Sequence, residues 1–277
     1  MKWFAIFIRG LLMGMADVVP GVSGGALALI TGIYHRLIHA ISRVDFTFIS
    51  LFLKGKWSES NKVFKKIDFP FLIPLALGIG IAIFLFSKFM GVLLTSYTAM
   101  TYAFFFGLIL ASSLVLLRRS GKLTMKKSVF LLLGALVAYV IAGATAVQAS
   151  HSLPIIFLSG VIAISAMLLP GISGAFILLL LGQYQYVVAA LHSYNIPVVM
   201  TFIGGAIVGL LGFSKAIDKL LHHYKDLTMI FLIGLMLGAL RVPVVQIQGS
   251  GGFGVWVLLS GVVGFVVVLV VEKLFME

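Results

Sequence analysis

Pro20-Gly21-Val22-Ser23-Gly24-Gly25, running on to Gly32 and Tyr34, is answered 150 residues later by Pro170-Gly171-Ile172-Ser173-Gly174-Ala175, running on to Gly182 and Tyr184. Seven of the fifteen aligned positions are identical, without a gap. Each Pro-Gly-x-Ser-Gly stretch interrupts an apolar run. In hydrocarbon, such a break leaves unpaired backbone groups, which are tolerated only where protein or a solvated cavity satisfies them. Paired breaks of this kind mark the substrate site of transporters built from duplicated halves.

The composition surrounding these breaks identifies the solvent. With 61% hydrophobic residues, 10% charged residues and a mean hydropathy of +1.19, the chain reads as an integral membrane protein. Apolar runs near the roughly 17–25 residues a spanning helix needs recur along it. Its 277 residues leave room for six to eight such runs and no separate soluble domain. The excess of 20 Lys and Arg over 8 Asp and Glu would suggest nucleic acid in a soluble chain. Here the basic residues cluster in short loops, so the expectation is membrane orientation and attraction to anionic lipid headgroups, with no nucleic acid partner. There is no cysteine, hence no disulfide, thiol catalysis or Cys-ligated metal. Met1-Lys2-Trp3 and onward superficially resembles a signal peptide. Arg9 interrupts that run and no small-x-small cleavage site follows, so the segment is expected to stay in the mature chain.

The first break lies between the apolar arms Trp3–Ala16 and Ala26–Ile41, the second between Ile155–Leu169 and Ala175–Leu191. Each arm is short for a span, so residues 3–41 and 155–191 are read as re-entrant helical hairpins. Three full spans are expected after each: about Pro70–Phe89, Thr98–Leu117 and Ser128–Val147, then Pro197–Phe213, Leu227–Leu240 (extending into Val242–Val245) and Val255–Val271. The likeness continues through these spans. Phe86-Ser87-Lys88 matches Phe213-Ser214-Lys215, Tyr97 matches Tyr224, Gly107 matches Gly234 and Gly134 matches Gly261, all at an offset of 127. The longer loop Phe46–Phe69 absorbs the difference of 23 between the two offsets. The chain therefore divides into repeats 1–149 and 150–277 within one membrane domain.

Charge sets the orientation. Lys54, Lys56, Lys62, Lys65 and Lys66 follow the first hairpin; Arg118, Arg119, Lys122, Lys126 and Lys127 form a second group, and Lys215, Lys219 and Lys225 a third. The intervening connections carry no Lys or Arg. The positive-inside rule places the basic groups in the cytoplasm. Three crossings per repeat then invert the second copy, with both termini cytoplasmic. The fold expected is an all-α membrane protein of two inverted-topology repeats, each a re-entrant hairpin plus three transmembrane helices.

A Pro-Gly-x-Ser-Gly tip can present backbone N–H groups at the start of a half-helix, where the helix dipole favours an anion. Gly21, Gly24 and Gly25 keep side chains out of the way and Ser23 adds a hydroxyl; Gly171, Ser173 and Gly174 repeat the device from the other face. Close packing is the competing use of such small residues. Few charges lie inside the apolar segments, where they are costly. Arg9 could take an anion by a bidentate contact, with Asp17 as its resting partner or a proton carrier. Their counterparts Ser159 and Met167 are uncharged. Arg241, beside Pro243, could receive an anion from outside or anchor the interface. Lys88 and Lys215 read as span ends, and Tyr34 and Tyr184 as packing or interfacial aromatics.

Other chemistry fits poorly. Gly21-Val22-Ser23-Gly24-Gly25 matches the nucleophile elbow in letters but lacks the strand-to-helix context. An intramembrane serine protease needs a histidine base within a span, whereas all six histidines sit at segment ends or in loops. Acidic residues in the spans are too few for a metal cage, and no phosphate-loop motif is present. No catalytic residue, metal or cofactor is expected.

Ala16-Asp17-Val18-Val19 before the first tip, Thr31-Gly32-Ile33-Tyr34 after it, and Ala163–Gly174 with Gly182-Gln183-Tyr184 at the second together resemble the bacterial polyprenyl-phosphate transporter (PopT) family. Gly234-Leu235-Met236-Leu237-Gly238-Ala239-Leu240-Arg241 is similar to that family's late Gly-Leu-x-x-Gly-x-Leu-Arg segment, without the tryptophan that usually follows. The resemblance covers essentially the whole chain. It implies a translocase in the bacterial cytoplasmic membrane that recycles undecaprenyl phosphate, returning it from the outer to the cytoplasmic leaflet after cell-wall precursors have been used. Candidate coupling ions are H+ and Na+. A lipid-phosphate hydrolase and a carrier of small soluble anions are the alternative readings.

Overall fold

The computed structural model describes residues 3–19, 23–147 and 149–276, and among these every regular element is a helix. The first half opens with α1 (Trp3–Asp17), α2 (Gly24–Ile30) and α3 (Tyr34–Ser42). Two short helices follow, α4 (Thr47–Leu53) and α5 (Trp57–Phe64), then three long ones, α6 (Phe69–Ser96), α7 (Thr98–Arg119) and α8 (Met125–Ala142). The second half runs α9 (Leu153–Met167), α10 (Gly174–Leu180), α11 (Tyr184–His192) and α12 (Ile196–His223). It ends with α13 (Lys225–Ala239), α14 (Arg241–Gly249) and α15 (Val255–Met276).

Six of the described segments are long and apolar enough to cross a membrane: α6, α7, α8, α12, α13 with its continuation α14, and α15. They coincide with the six spans expected from sequence, and the protein is a multi-pass membrane protein. The long helices share their end signals. α6 and α12 are each 28 residues, carry proline in the first turn, and stop at a tyrosine (Tyr97, Tyr224) with φ −134°. Proline lacks only an N–H that a first turn leaves unpaired anyway.

Three sequence expectations need correction. Lys88 does not end a span, because α6 continues to Ser96. Lys215 and Lys219 likewise ride on α12, which continues to His223, instead of lying in a loop. A lysine stem can lie along a helix while its ammonium reaches the headgroup level. The second arm of each hairpin, read as one helix, is two. Gly32 (φ 72°) and Gly182 (φ 67°) close α2 and α10. In both, the glycine N–H and the next N–H bond back to Leu29 and Ala28, or to Leu179 and Leu178, at 2.9–3.1 Å. That left-handed stop turns α11 from α10 by 107°. The loop Phe46–Phe69 holds α4 and α5, turned at Gly55 (φ 72°) and joined where Phe52 meets Trp57 at 4.7 Å between ring centroids.

Close helix pairing repeats between the halves. At Gly10 a side chain would strike α6 at the Leu75 carbonyl, beside Gly78; at Gly160 it would strike α12 at the Phe202 carbonyl, beside Gly205. Gly107 of α7 meets Gly261 of α15, and Gly234 of α13 meets α8 beside Gly134. The last two pairs cross between halves, so neither half packs alone. Backbones approach this closely only where no Cβ intervenes. α7 and α13 are the most buried long helices, while α6, α8, α12 and α15 leave apolar side chains such as Phe84, Leu132, Met200 and Val262 outward. In a membrane protein that outward surface faces lipid.

Candidate functional site

The two hairpins meet. Tyr34, fully buried, donates from its hydroxyl to the Leu168 carbonyl at 2.8 Å. Ser23 Oγ donates to the next carbonyl, Leu169, at 3.4 Å, and accepts the Gly25 N–H at 3.2 Å. A Cβ at Gly25 would stand 3.5 Å from Pro170 Cα. Carbonyls released where α9 breaks before Pro170 are thus satisfied by side chains of the first hairpin, as a break at membrane depth requires.

Ser23 caps α2 with extended backbone (φ −126°, ψ 129°). The preceding amide of that helix is also taken: Gly24 N–H donates to Asp17 Oδ1 at 2.7 Å. The carboxylate lies where a Gly24 side chain would be, within 2.6 Å of an ideal Cβ. Asp17 therefore holds the first tip closed against its own arm and is no ion-pair partner of Arg9. Arg9, 6% exposed, donates from Nε to the Thr31 carbonyl at 3.2 Å and from Nη1 to the Ala5 carbonyl at 3.5 Å. It packs against the end of α2, where carbonyls left by the Gly32 stop favour a cation.

The second tip is built from the same letters with other contacts. Ser173 caps α10 in the same extended conformation (φ −95°, ψ 129°), but its hydroxyl makes no hydrogen bond among the described residues. Met167 replaces Asp17. Gly174 packs against the α9 backbone, where a Cβ would come within 2.8 Å of the Ala163 carbonyl. Gly171, at φ 90°, lies on α13, 3.0–3.1 Å from Leu235, Met236 and Ala239 atoms by the same measure. Tyr184 is 39% exposed and, among the described residues, has no counterpart of the Tyr34 bond.

A cavity of about 290 Å³ opens between the hairpins, α6 and α12. Asp17 and Gly25 reach it from the first hairpin, Met167 and Leu168 from the first arm of the second hairpin, and Ile79 and Ile207 from the long helices. Asp17 is its one charged lining residue among those described. Of the residues singled out by sequence, the structure brings Asp17, Ser23, Gly24 and Gly25 together, with Leu168–Pro170 against them. Gly21 lies outside the described residues. Arg241 stands elsewhere: Nη1 donates to the Tyr139 carbonyl at 2.9 Å and the guanidinium lies 4.3 Å from the Tyr139 ring centroid, over the end of α8. Among the described residues it makes no hydrogen bond to either tip, and its contacts are those of a helix-end cation. Sequence reading took Tyr34 for a packing or interfacial residue, and nothing in the letters separates it from Tyr184.

No solved structure matches this chain. Two curated relatives named "polyprenyl-phosphate transporter" do. One, from Vibrio cholerae serotype O1, is 41% identical over 243 residues, which is 87% of this chain and 77% of the relative. The other, from Staphylococcus aureus, is 31% identical over 257 residues, 86% of this chain and 85% of the relative. Residues 13–249, from within α1 to the end of α14, match the family described as undecaprenyl phosphate translocase-like. With both tips inside that match and the relatives aligned over most of their length, the chain belongs to the undecaprenyl phosphate translocase-like family.

Proposed function

We propose that this protein is a polyprenyl-phosphate transporter that returns undecaprenyl phosphate from the outer to the cytoplasmic leaflet of the bacterial cytoplasmic membrane. The observation that carries the reading is the meeting of Ser23 and Gly25 with Leu169 and Pro170, beside a largely apolar cavity, in a protein with six apolar spans. A phosphate monoester needs donors where water is absent; its tail needs an apolar path. Ser23, Gly24, Gly25 and Arg9 would supply donors from one hairpin by giving up the internal partners described above, and Gly171, Ser173 and Gly174 from the other, with Gly21 completing the first motif. Arg241 belongs to the route toward the outer face. The tail stays in lipid while the head crosses. The names carried by the two relatives support the same substrate.

Matched 28-residue helices, matched glycine pairs and the same left-handed stop in each second arm support two repeats, 1–149 and 150–277. The 107° turn and the short helices support hairpins that enter and leave on one face. The Lys and Arg distribution supports cytoplasmic termini and an inverted second repeat. Single cysteines at Ser58 and Ser150, both exposed, test the topology by labelling from each side of the membrane. Reaction from opposite sides is expected; reaction from the same side removes the inverted repeat.

The functional test uses the purified chain in liposomes with labelled undecaprenyl phosphate. Transfer between leaflets without release of inorganic phosphate is expected, insensitive to added soluble phosphate. Phosphate release would make the protein a lipid-phosphate hydrolase, and uptake of soluble phosphate would make it an anion carrier. Imposing an H+ or an Na+ gradient in turn identifies the coupling ion.

A further inference from the structure

A second concave site lies along α12, beyond the tip cavity. It measures about 490 Å³, and α3 with its cap Arg43 forms one wall. Lys215 and Lys219 line it from α12, and four imidazoles (His35, His39, His222, His223) surround them. Arg43, Lys215 and Lys219 enter no ion pair among the described residues, unlike Arg36, which binds Asp68 at 2.8 Å. Asp218 is the one carboxylate in the lining, and both its oxygens are engaged. Oδ2 accepts from Ser42 Oγ at 2.8 Å, and each oxygen lies 3.2 Å from His39 Nδ1. Asp45, outside the lining, is held below the ordinary carboxylate range by the Thr47 N–H, with smaller contributions from Lys215 and Lys66. Three cations with no ion-pair partner thus face a groove whose own carboxylate is committed to joining α3 to α12.

The same two helices line the tip cavity. Leu37 and Ile41 of α3, with Ile203, Ile207 and Leu210 of α12, face it. From Leu210 to Lys215 is five residues, about 7.5 Å along a helix. The groove has no twin. At the matching positions, His35, His39 and Arg43 become Gln185, Ala189 and Ser193, while Lys219 becomes Val92.

We propose that this groove is a phosphate-binding site at the cytoplasmic end of the transport path, which receives the phosphate monoester headgroup as it leaves the tip cavity. The proposal rests on the transport reading above and adds a second, one-sided station to it. The shared chemistry is a phosphate dianion, carried either by the lipid or by free phosphate.

The chain has no cysteine, so Ala216→Cys, exposed beside Lys215, can carry an environment-sensitive fluorophore that reports on the groove alone. The labelled full chain in phosphatidylcholine nanodiscs is titrated with farnesyl phosphate and, separately, with inorganic phosphate. Arg43→Ala/Lys215→Ala/Lys219→Ala should weaken the response at least roughly tenfold, since hydrogen bonds to charged groups are lost. Arg118→Ala/Lys122→Ala/Lys126→Ala removes equal charge from another basic loop and should change it less than twofold. Lys215→Arg/Lys219→Arg should retain binding, which separates charge from misfolding. A saturable response to both ligands assigns the site to the phosphate group itself, and one to farnesyl phosphate alone to the lipid headgroup. Equal loss in both alanine triples, or none in the groove triple, overturns the proposal. Wild-type liposome transport distinguishes the two failures: its absence ends the transport reading, whereas transport with an unresponsive groove ends only this inference.

Discussion

The two hairpin tips share a motif and differ in how it is satisfied. At the first, charged and polar side chains do the work: Asp17 takes the Gly24 amide, Ser23 takes Gly25 and reaches Leu169, Tyr34 reaches Leu168, and Arg9 holds the Thr31 carbonyl. At the second, backbone contact replaces them, with Gly174 on α9 and Gly171 on α13. Both tips lie within one membrane protein, so the contrast is one of mobility. A tip held by side-chain hydrogen bonds can exchange partners with a ligand, whereas a tip wedged between backbones moves only with its helices. On the proposed transport reading, the first tip would exchange its internal bonds for the headgroup, while the second would present Ser173 from a backbone-packed wall.

The largest expected break in this comparison is at Arg9. Arg9→Ala should lower liposome transport roughly a hundredfold by removing the buried cation's proposed hydrogen bonds to the headgroup. Arg9→Lys should restore part of it, since charge returns without the planar fork. Ser159→Ala, at the matching position of the second half, should change transport less than twofold. Equal losses at the two positions would erase the asymmetry.

Next come the glycines, measured by melting temperature in detergent. Gly174→Ala should cost about 1–3 kcal/mol, because α9 backbone must yield. Gly24→Ala presses on a side chain instead, so adding Asp17→Ala should relieve part of its cost. That double substitution should fall short of the sum of its singles, while Gly174→Ala with Met167→Ala should be additive or worse. Additivity in both would mean that Asp17 does not occupy the space over Gly24.

The serines sharpen the comparison further. As headgroup donors, Ser23 and Ser173 should each be worth roughly tenfold in transport when changed to Ala. Only Ser23→Ala should also lower the melting temperature, since only its hydroxyl is already bonded within the protein. Total loss for Ser23→Ala beside a fully active Ser173→Ala would favour a nucleophile and a hydrolase. The smallest effect is at Tyr34. Tyr34→Phe should destabilise by about 1 kcal/mol through loss of the Leu168 bond, and Tyr184→Phe should be neutral in the same assay.

Much of this arrangement was legible in the letters. Hydropathy determined a six-span helical membrane protein, because an apolar run long enough to cross hydrocarbon has few other stable fates. Matched motifs at two offsets pointed to the duplication, and the isolated charges Arg9 and Asp17 stood out because such charges are costly in apolar segments. Partners were beyond reach. Asp17 looked like a resting partner for Arg9, yet it folds onto Gly24; Tyr34 and Tyr184 look alike, yet one bridges the hairpins and the other is partly exposed. Lys215 looked like a span end and instead lines a groove with Arg43, 172 positions away. Periodicity along one helix determines which residues meet the membrane, because lipid is the same solvent everywhere. Which carbonyl receives a hydroxyl, and which carboxylate covers a glycine, depends on how separate helices dock, and only the tertiary structure decides that.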